Sequence, residues 1–187
     1  MTVPTSIRST GPDAPSRDAV THTGPLLPSI AQLNLLSGAD FARALRPLFE
    51  SAEPLTAALE RTRPYGSYEA LLDRAGVVLR GMPEAEQVEV LSAHPRIGED
   101  AWRLSALSAR EQGQGSTEVD RLLAELNDTY EQKFGFRFVV FVNRRPKSEI
   151  VEVLRQRING TRQEELQTGL REMLRIARDR LRALHDA

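Results

Sequence analysis

Thr117-Glu118-Val119-Asp120-Arg121-Leu122-Leu123-Ala124-Glu125-Leu126-Asn127-Asp128-Thr129-Tyr130-Glu131-Gln132-Lys133-Phe134 reads as one amphipathic helix. Val119, Leu122, Leu123, Leu126 and Tyr130 fall on one face at helical spacing, and Gly135 supplies a stop. The next seven residues, Phe136 to Val142, are β-branched or aromatic except for Arg137, and favour a short buried strand-like segment. No second stretch of the chain offers a convincing partner strand. The expected fold is therefore all-α: about eight helices in one compact domain, with one isolated extended segment packed among them.

Outward from that centre the periodicity stays helical. Towards the C-terminus, Ser148 opens a helix with Ile150, Val151, Leu154 and Ile158 inward, ended by Asn159-Gly160. Thr161 with Glu164 forms a capping box for a last helix. Its stripe runs through Leu166, Leu170, Met173, Leu174, Ala177, Leu181 and Leu184. Towards the N-terminus, Pro83 begins a helix that carries Val88 and Leu91. It must end near Ala93, because a residue before proline is pushed out of the α region. Ser67 caps a helix with Tyr68, Leu71, Leu72, Ala75, Val78 and Leu79 on one face, and Gly81 supplies its stop. Pro54 suits a first helical turn, and Pro64 closes the short segment after it. Ser37 caps a helix through Phe41, Leu45, Leu48 and Phe49, which Pro47 should kink or split. Between Gly98 and Gly115 the pattern weakens to a helix from Ser108 and a glycine-rich break at Gly113 and Gly115.

Residues 1–30 differ from all of this. Pro4, Pro12, Pro15, Pro25 and Pro28 stand among Ser, Thr and Gly with few large apolar residues. Such a stretch buries too little surface to offset its ordering entropy, so a disordered tail is expected ahead of a helical domain over 31–187.

Composition narrows the function. The 25 basic and 26 acidic residues are interleaved, which gives no basic stripe for nucleic acid. No apolar run reaches the roughly 20 residues of a membrane helix. The chain has no cysteine, which removes disulfides and thiolate chemistry and suits a reducing cytoplasm.

Three places carry possible chemistry. His94 directly follows a helix and is locked by Pro95, so backbone geometry holds it. An imidazole there either caps the last carbonyls of its helix or moves protons near neutral pH. With the other histidines at 22 and 185, a metal site is not expected. Ser108-Ala109-Arg110-Glu111-Gln112 is first a capping box, but a helix N-terminus with polar side chains also suits an anionic ligand. Phe138, Val139, Val140, Phe141 and Val142 are core by composition. Yet an unpaired extended backbone leaves N–H and C=O groups that a planar, amide-rich ligand could take.

In this order, those residues resemble the family of 2-oxo-4-hydroxy-4-carboxy-5-ureidoimidazoline (OHCU) decarboxylases. The shared positions are His94-Pro95-Arg96-Ile97-Gly98, Ser108 with Glu111-Gln112, and Leu126-Asn127-x-x-Tyr130 leading to Lys133-Phe134-Gly135-Phe136. Phe138-Val139-Val140, Glu149-Ile150, Arg157-x-Asn159, and Ile176 with Arg180-Leu181 continue the match. Leu33-Asn34 and Arg63-Pro64-Tyr65 resemble the family's N-terminal helices, so the likeness spans about 31–185.

The resemblance implies an all-helical homodimer that decarboxylates OHCU to (S)-allantoin in urate breakdown, with no metal or organic cofactor. It implies that His94 transfers protons, Pro95 shapes the pocket and Glu111 orients His94 or substrate. Ser108 and Gln112 would bind ureido and ring groups, and the backbone of Phe138 to Val142 would read the ring's amide edges. A cation is expected for the substrate carboxylate, Arg180 first and Arg157 in reserve. Two positions depart from the family pattern. Arg137 stands where proline is common, and Asn143-Arg144-Arg145-Pro146 replaces a loop that commonly holds glycine. The competing readings are a helical binding module without catalysis and a decarboxylase for a related ureido or imidazoline acid.

Overall fold

The structure is a computed structural model and describes residues 27–97 and 114–185. Among these it contains eight helices and no strand. They are α1 (Ile30–Leu35), α2 (Gly38–Phe49), α3 (Glu53–Glu60), α4 (Tyr68–Gly81), α5 (Glu84–Ser92), α6 (Gln114–Phe134), α7 (Lys147–Ile158) and α8 (Arg162–His185). None is long and apolar enough to cross a membrane.

Local chemistry explains most of the boundaries. The Ser67 hydroxyl accepts from the Ala70 N–H at 3.1 Å and starts α4. Thr161 and Glu164 close the expected box at the start of α8: each main-chain N–H donates to the other's side chain, at 3.1 and 3.3 Å. Gly135 ends α6 in the left-handed region, φ 78°, where a Cβ would be strained.

Four boundaries differ from expectation. Pro47 does not split α2; it lies in the last turn and the helix ends two residues later. The stop after α4 comes from Met82 rather than Gly81. Met82 is forced extended (ψ 144°) by the following Pro83, while Gly81 is still helical. Gly115 sits inside α6, and α7 begins at Lys147 with Pro146, not Ser148, as its N-cap. Residues 27–30, read from the sequence as the end of the tail, are described and engaged with the helices. Ser29 and Gln32 form a capping box for α1, and the Tyr68 hydroxyl donates to the Pro28 carbonyl at 2.8 Å. Residues 1–26, and the expected helix from Ser108, lie outside the described residues.

The core sits around α8, which packs on α4, α2, α5 and α6 through Leu166, Leu170, Met173, Ala177 and Leu181, all buried. Helices α6 and α7 form the most extensive helix pair. Beneath them Tyr130 meets Phe134, Phe136 and Phe138 edge-on, with centroids 4.6, 6.0 and 5.2 Å apart, a favourable aromatic geometry. At the other end, Asn34 pairs with the main chain of Tyr65 in both directions, at 2.8 and 2.9 Å. The Arg63 guanidinium donates to the carbonyls of Asn34 and Leu36. The two N-terminal motifs of the sequence thus hold each other, across a cis Arg63–Pro64 bond.

Candidate active site

His94 emerges from α5 on a short turn. The Ala93 N–H reaches back to Glu89 and the His94 N–H to Leu91, after which Pro95 prevents further helix. Three side chains fasten this turn. Arg96 makes a two-toothed bond to Glu131 (2.9 and 2.6 Å) and a third contact to Asp128, both on α6. Asn127, also on α6 and buried, donates to the Ile97 carbonyl at 3.2 Å. Arg137 donates to the His94 carbonyl itself. His94 is 3% exposed, and neither ring nitrogen makes a hydrogen bond of good geometry among the described residues.

The Val90 carbonyl, one turn back on α5, lies beside the ring, so His94 stands at the end of its own helix and in the cleft lining at once. Burial, the largest cause, pushes its pKa below the ordinary 6.5. The Arg180 and Arg137 guanidiniums add to that, while Glu50 and the Val90 carbonyl oppose it. The imidazole is therefore neutral at neutral pH and able to accept a proton.

Residues 137–142 pair with no strand, and side chains satisfy part of their backbone. Arg157 donates to the Val139 carbonyl (2.8 Å), and Glu172 accepts from the Phe141 N–H (2.9 Å). Arg145 holds the carbonyls of Phe141 and Val142. Among the described residues, the N–H groups of Phe138, Val139, Val140 and Val142 and the carbonyls of Phe138 and Val140 remain open. The backbone available for a ligand is thus narrower than the whole stretch, and the main chain of Phe141 is already engaged.

A cleft of about 390 Å³ joins the two parts, a size that suits a small planar molecule. His94, Pro95, Arg96 and Ile97 form one wall, and Phe138 through Asn143 form the floor. Ile176, Asp179 and Arg180 of α8 form the far wall. Of these, Asp179 was not singled out from the sequence, whereas Arg96, Ile97 and Ile176 were noted only for the family likeness and Asn143 only as a departure from it. Ile176, Asp179 and Arg180 are spaced i, i+3, i+4, so the helical register of α8 was the available signal.

The structure separates the two arginines. Arg180 lies in the cleft wall, with Nη2 on the Glu50 carboxylate at 2.5 Å. Arg157 lies behind the floor, bound to buried Glu165 at 2.7 Å and stacked over the Phe138 ring at 4.7 Å. It supports the floor and does not line the cleft. Ser108, Glu111 and Gln112 lie outside the described residues. Among the described ones no group of three or more His, Cys, Asp or Glu is placed to hold a metal ion.

Comparison with known proteins adds to this geometry. The OHCU decarboxylase family profile matches residues 34–182. The OHCU decarboxylase of Xenopus laevis is 30% identical over 157 residues, covering 80% of this chain and 90% of its own. The uric acid degradation bifunctional protein of Bacillus sp. (strain TB-90) is 29% identical over 160 residues. There the match covers 83% of this chain but only 32% of the relative, so this chain corresponds to about a third of that longer protein. A crystal structure of an OHCU decarboxylase in the presence of (S)-allantoin shares the fold, with TM-score 0.60 and 24% identity over 76% of this chain and 97% of its own.

Fold and matches together make the chain an enzyme of the lyase class, a decarboxylase. It belongs to the OHCU decarboxylase family.

Proposed function

We propose that His94, held neutral in the cleft lining, is the proton-transfer residue of this decarboxylase, and that Arg180 binds the substrate carboxylate. The chain decarboxylates OHCU in urate degradation. In that substrate one ring carbon carries both the hydroxyl and the carboxylate, next to a carbon held in an imine-type C=N bond. When CO2 leaves, its electron pair forms a C=C bond, and the C=N pair moves to nitrogen, which takes a proton from solvent. His94 removes the hydroxyl proton, so that oxygen becomes a carbonyl, and a proton returns to the ureido-bearing carbon. Delivery from one wall of the cleft makes the product (S)-allantoin.

The observation that carries this reading is the buried His94 ring, neither nitrogen of which makes a well-formed hydrogen bond among the described residues, lining the same cleft as Arg180. The open N–H and C=O groups of Phe138 to Val142 offer a planar ureido acid the donors and acceptors it needs. Glu111 is assigned to orient His94 or substrate, with Ser108 and Gln112 on the ureido and ring groups. That assignment rests on the family resemblance. Residues 31–187 act as one catalytic unit, working as a homodimer in the cytoplasm. The absence of cysteine suits that compartment.

The test supplies substrate in situ from urate with uricase and hydroxyisourate hydrolase and measures allantoin formation. A rate well above the spontaneous one is expected. Folded protein that leaves the spontaneous rate unchanged would overturn the reading.

A further inference from the structure

Glu50 immediately follows α2 and adopts φ 56°, ψ −136°. That conformation belongs to the first central position of a type II′ turn, which glycine dominates because a Cβ clashes there. A glycine would end α2 without strain, yet the chain carries a glutamate. Stability does not account for it. The carboxylate is one third exposed, and an ion pair at such a site contributes little.

What the strained turn achieves is placement. It sets the carboxylate 2.5 Å from Nη2 of Arg180, a residue on the last helix. The Pro47 carbonyl, in the same final turn of α2, lies 3.4 Å from Nη1. The C-terminal end of a helix is itself favourable for a cation. The end of α2 thus forms a seat for one guanidinium, in the lining of the cleft that His94 also lines. Glu50 and Arg180 both act on the charge of the His94 ring, in opposite directions, which places the pair within electrostatic reach of it.

We propose that Glu50 is a positioning residue whose carboxylate, set by an energetically costly turn, fixes the Arg180 guanidinium in the cleft so that its remaining N–H groups meet the substrate carboxylate. This rests on the reading of Arg180 as the substrate's anion partner. Because Glu50 touches Arg180 rather than substrate, its loss acts on substrate capture.

The test compares Glu50→Gly and Glu50→Gln with the wild type. Glu50→Gly removes the strain and the carboxylate together, so its Tm rises by roughly 2–4 °C. Its kcat/KM falls about tenfold, mostly through KM. Glu50→Gln keeps an oxygen that can accept from Arg180 and retains most of kcat/KM. Wild-type kcat/KM in Glu50→Gly, or a lower Tm accompanying the lost activity, would overturn the proposal. A separate readout needs no turnover: the His94 imidazole, followed by NMR with His94→Asn as the assignment control, titrates lower in Glu50→Gln. An unmoved titration counts against the proposed arrangement. A wild type with no decarboxylase activity but a shifted titration would instead fault the functional reading alone.

Discussion

The Arg137 guanidinium donates to the main-chain carbonyl of His94, tying the extended floor of the cleft to the turn that carries the His94 ring. Arg137 pairs with no carboxylate among the described residues, so its charge also acts on that ring. The position that departs from the family pattern is thus put to use beside the active site.

Replacing Arg137 with alanine removes both effects. The expected result is a kcat about tenfold lower, the scale of one charge-assisted hydrogen bond. Because Arg137 holds the His94 pKa down, the His94 titration should move up, opposite to the direction for Glu50→Gln. Steady-state kinetics and histidine NMR on the same sample check both. Unchanged values of each would mean that the contact does no more than fill space.

The depressed pKa of His94 fixes the sign of two pH profiles. Neutral His94 is the active form, so kcat/KM is full above its pKa and falls below it, with an acid limb lying under 6.5. Stability follows the same direction. Between the folded pKa and the unfolded value near 6.5, the unfolded chain binds the extra proton, so stability is lost as pH falls through that window. His94→Asn should flatten the part of the Tm-versus-pH slope that lies just below 6.5. An unaltered slope in that variant would mean that His94 is not buried neutral.

Arg157 and Arg180 should part company on substitution. Arg157→Ala strands buried Glu165 and removes a donor from Val139 and Tyr130, so it should cost about 3–5 kcal/mol of stability. Arg180→Ala should leave Tm within a few degrees and lower kcat/KM by about 10–100-fold, the scale of one hydrogen-bonded charge contact. Thermal melts and kinetics on the pair decide the matter, and the reverse pattern would exchange their roles.

The rim loop gives a prediction about stability alone. Asn143 and Arg144 have φ 46° and 59°, the left-handed conformation that glycine would supply in this loop. Arg144→Gly should therefore stabilise the protein by about 1 kcal/mol, read from chemical denaturation. A destabilised variant would show that the Arg144 side chain contributes more than its backbone strain costs.

What the sequence made legible was local. Ser67, the Thr161–Glu164 box and Gly135 act within a turn of their own helix, so residue type and spacing sufficed. The unpaired segment after Gly135 was readable because β propensity without a partner strand leaves one outcome. Gly81 misled because the conformation of Met82 is set by Pro83, a neighbour that outweighs the glycine. Arg157 and Arg180 looked alike in sequence, since both are arginines on helices; burial against Glu165 or exposure to the cleft separates them. Glu50 gave no signal at all. Its role exists only because α2 and α8 pack side by side, and no local pattern encodes that contact.

The central claim is that the neutral ring of His94 moves the proton that decides the product. Its most direct test is circular dichroism of allantoin formed by His94→Asn, with substrate made in situ and the fold checked by melting. His94→Asn should be a folded protein giving racemic product at the spontaneous rate, against rapid (S)-allantoin from the wild type. Rapid (S)-allantoin from His94→Asn would contradict it.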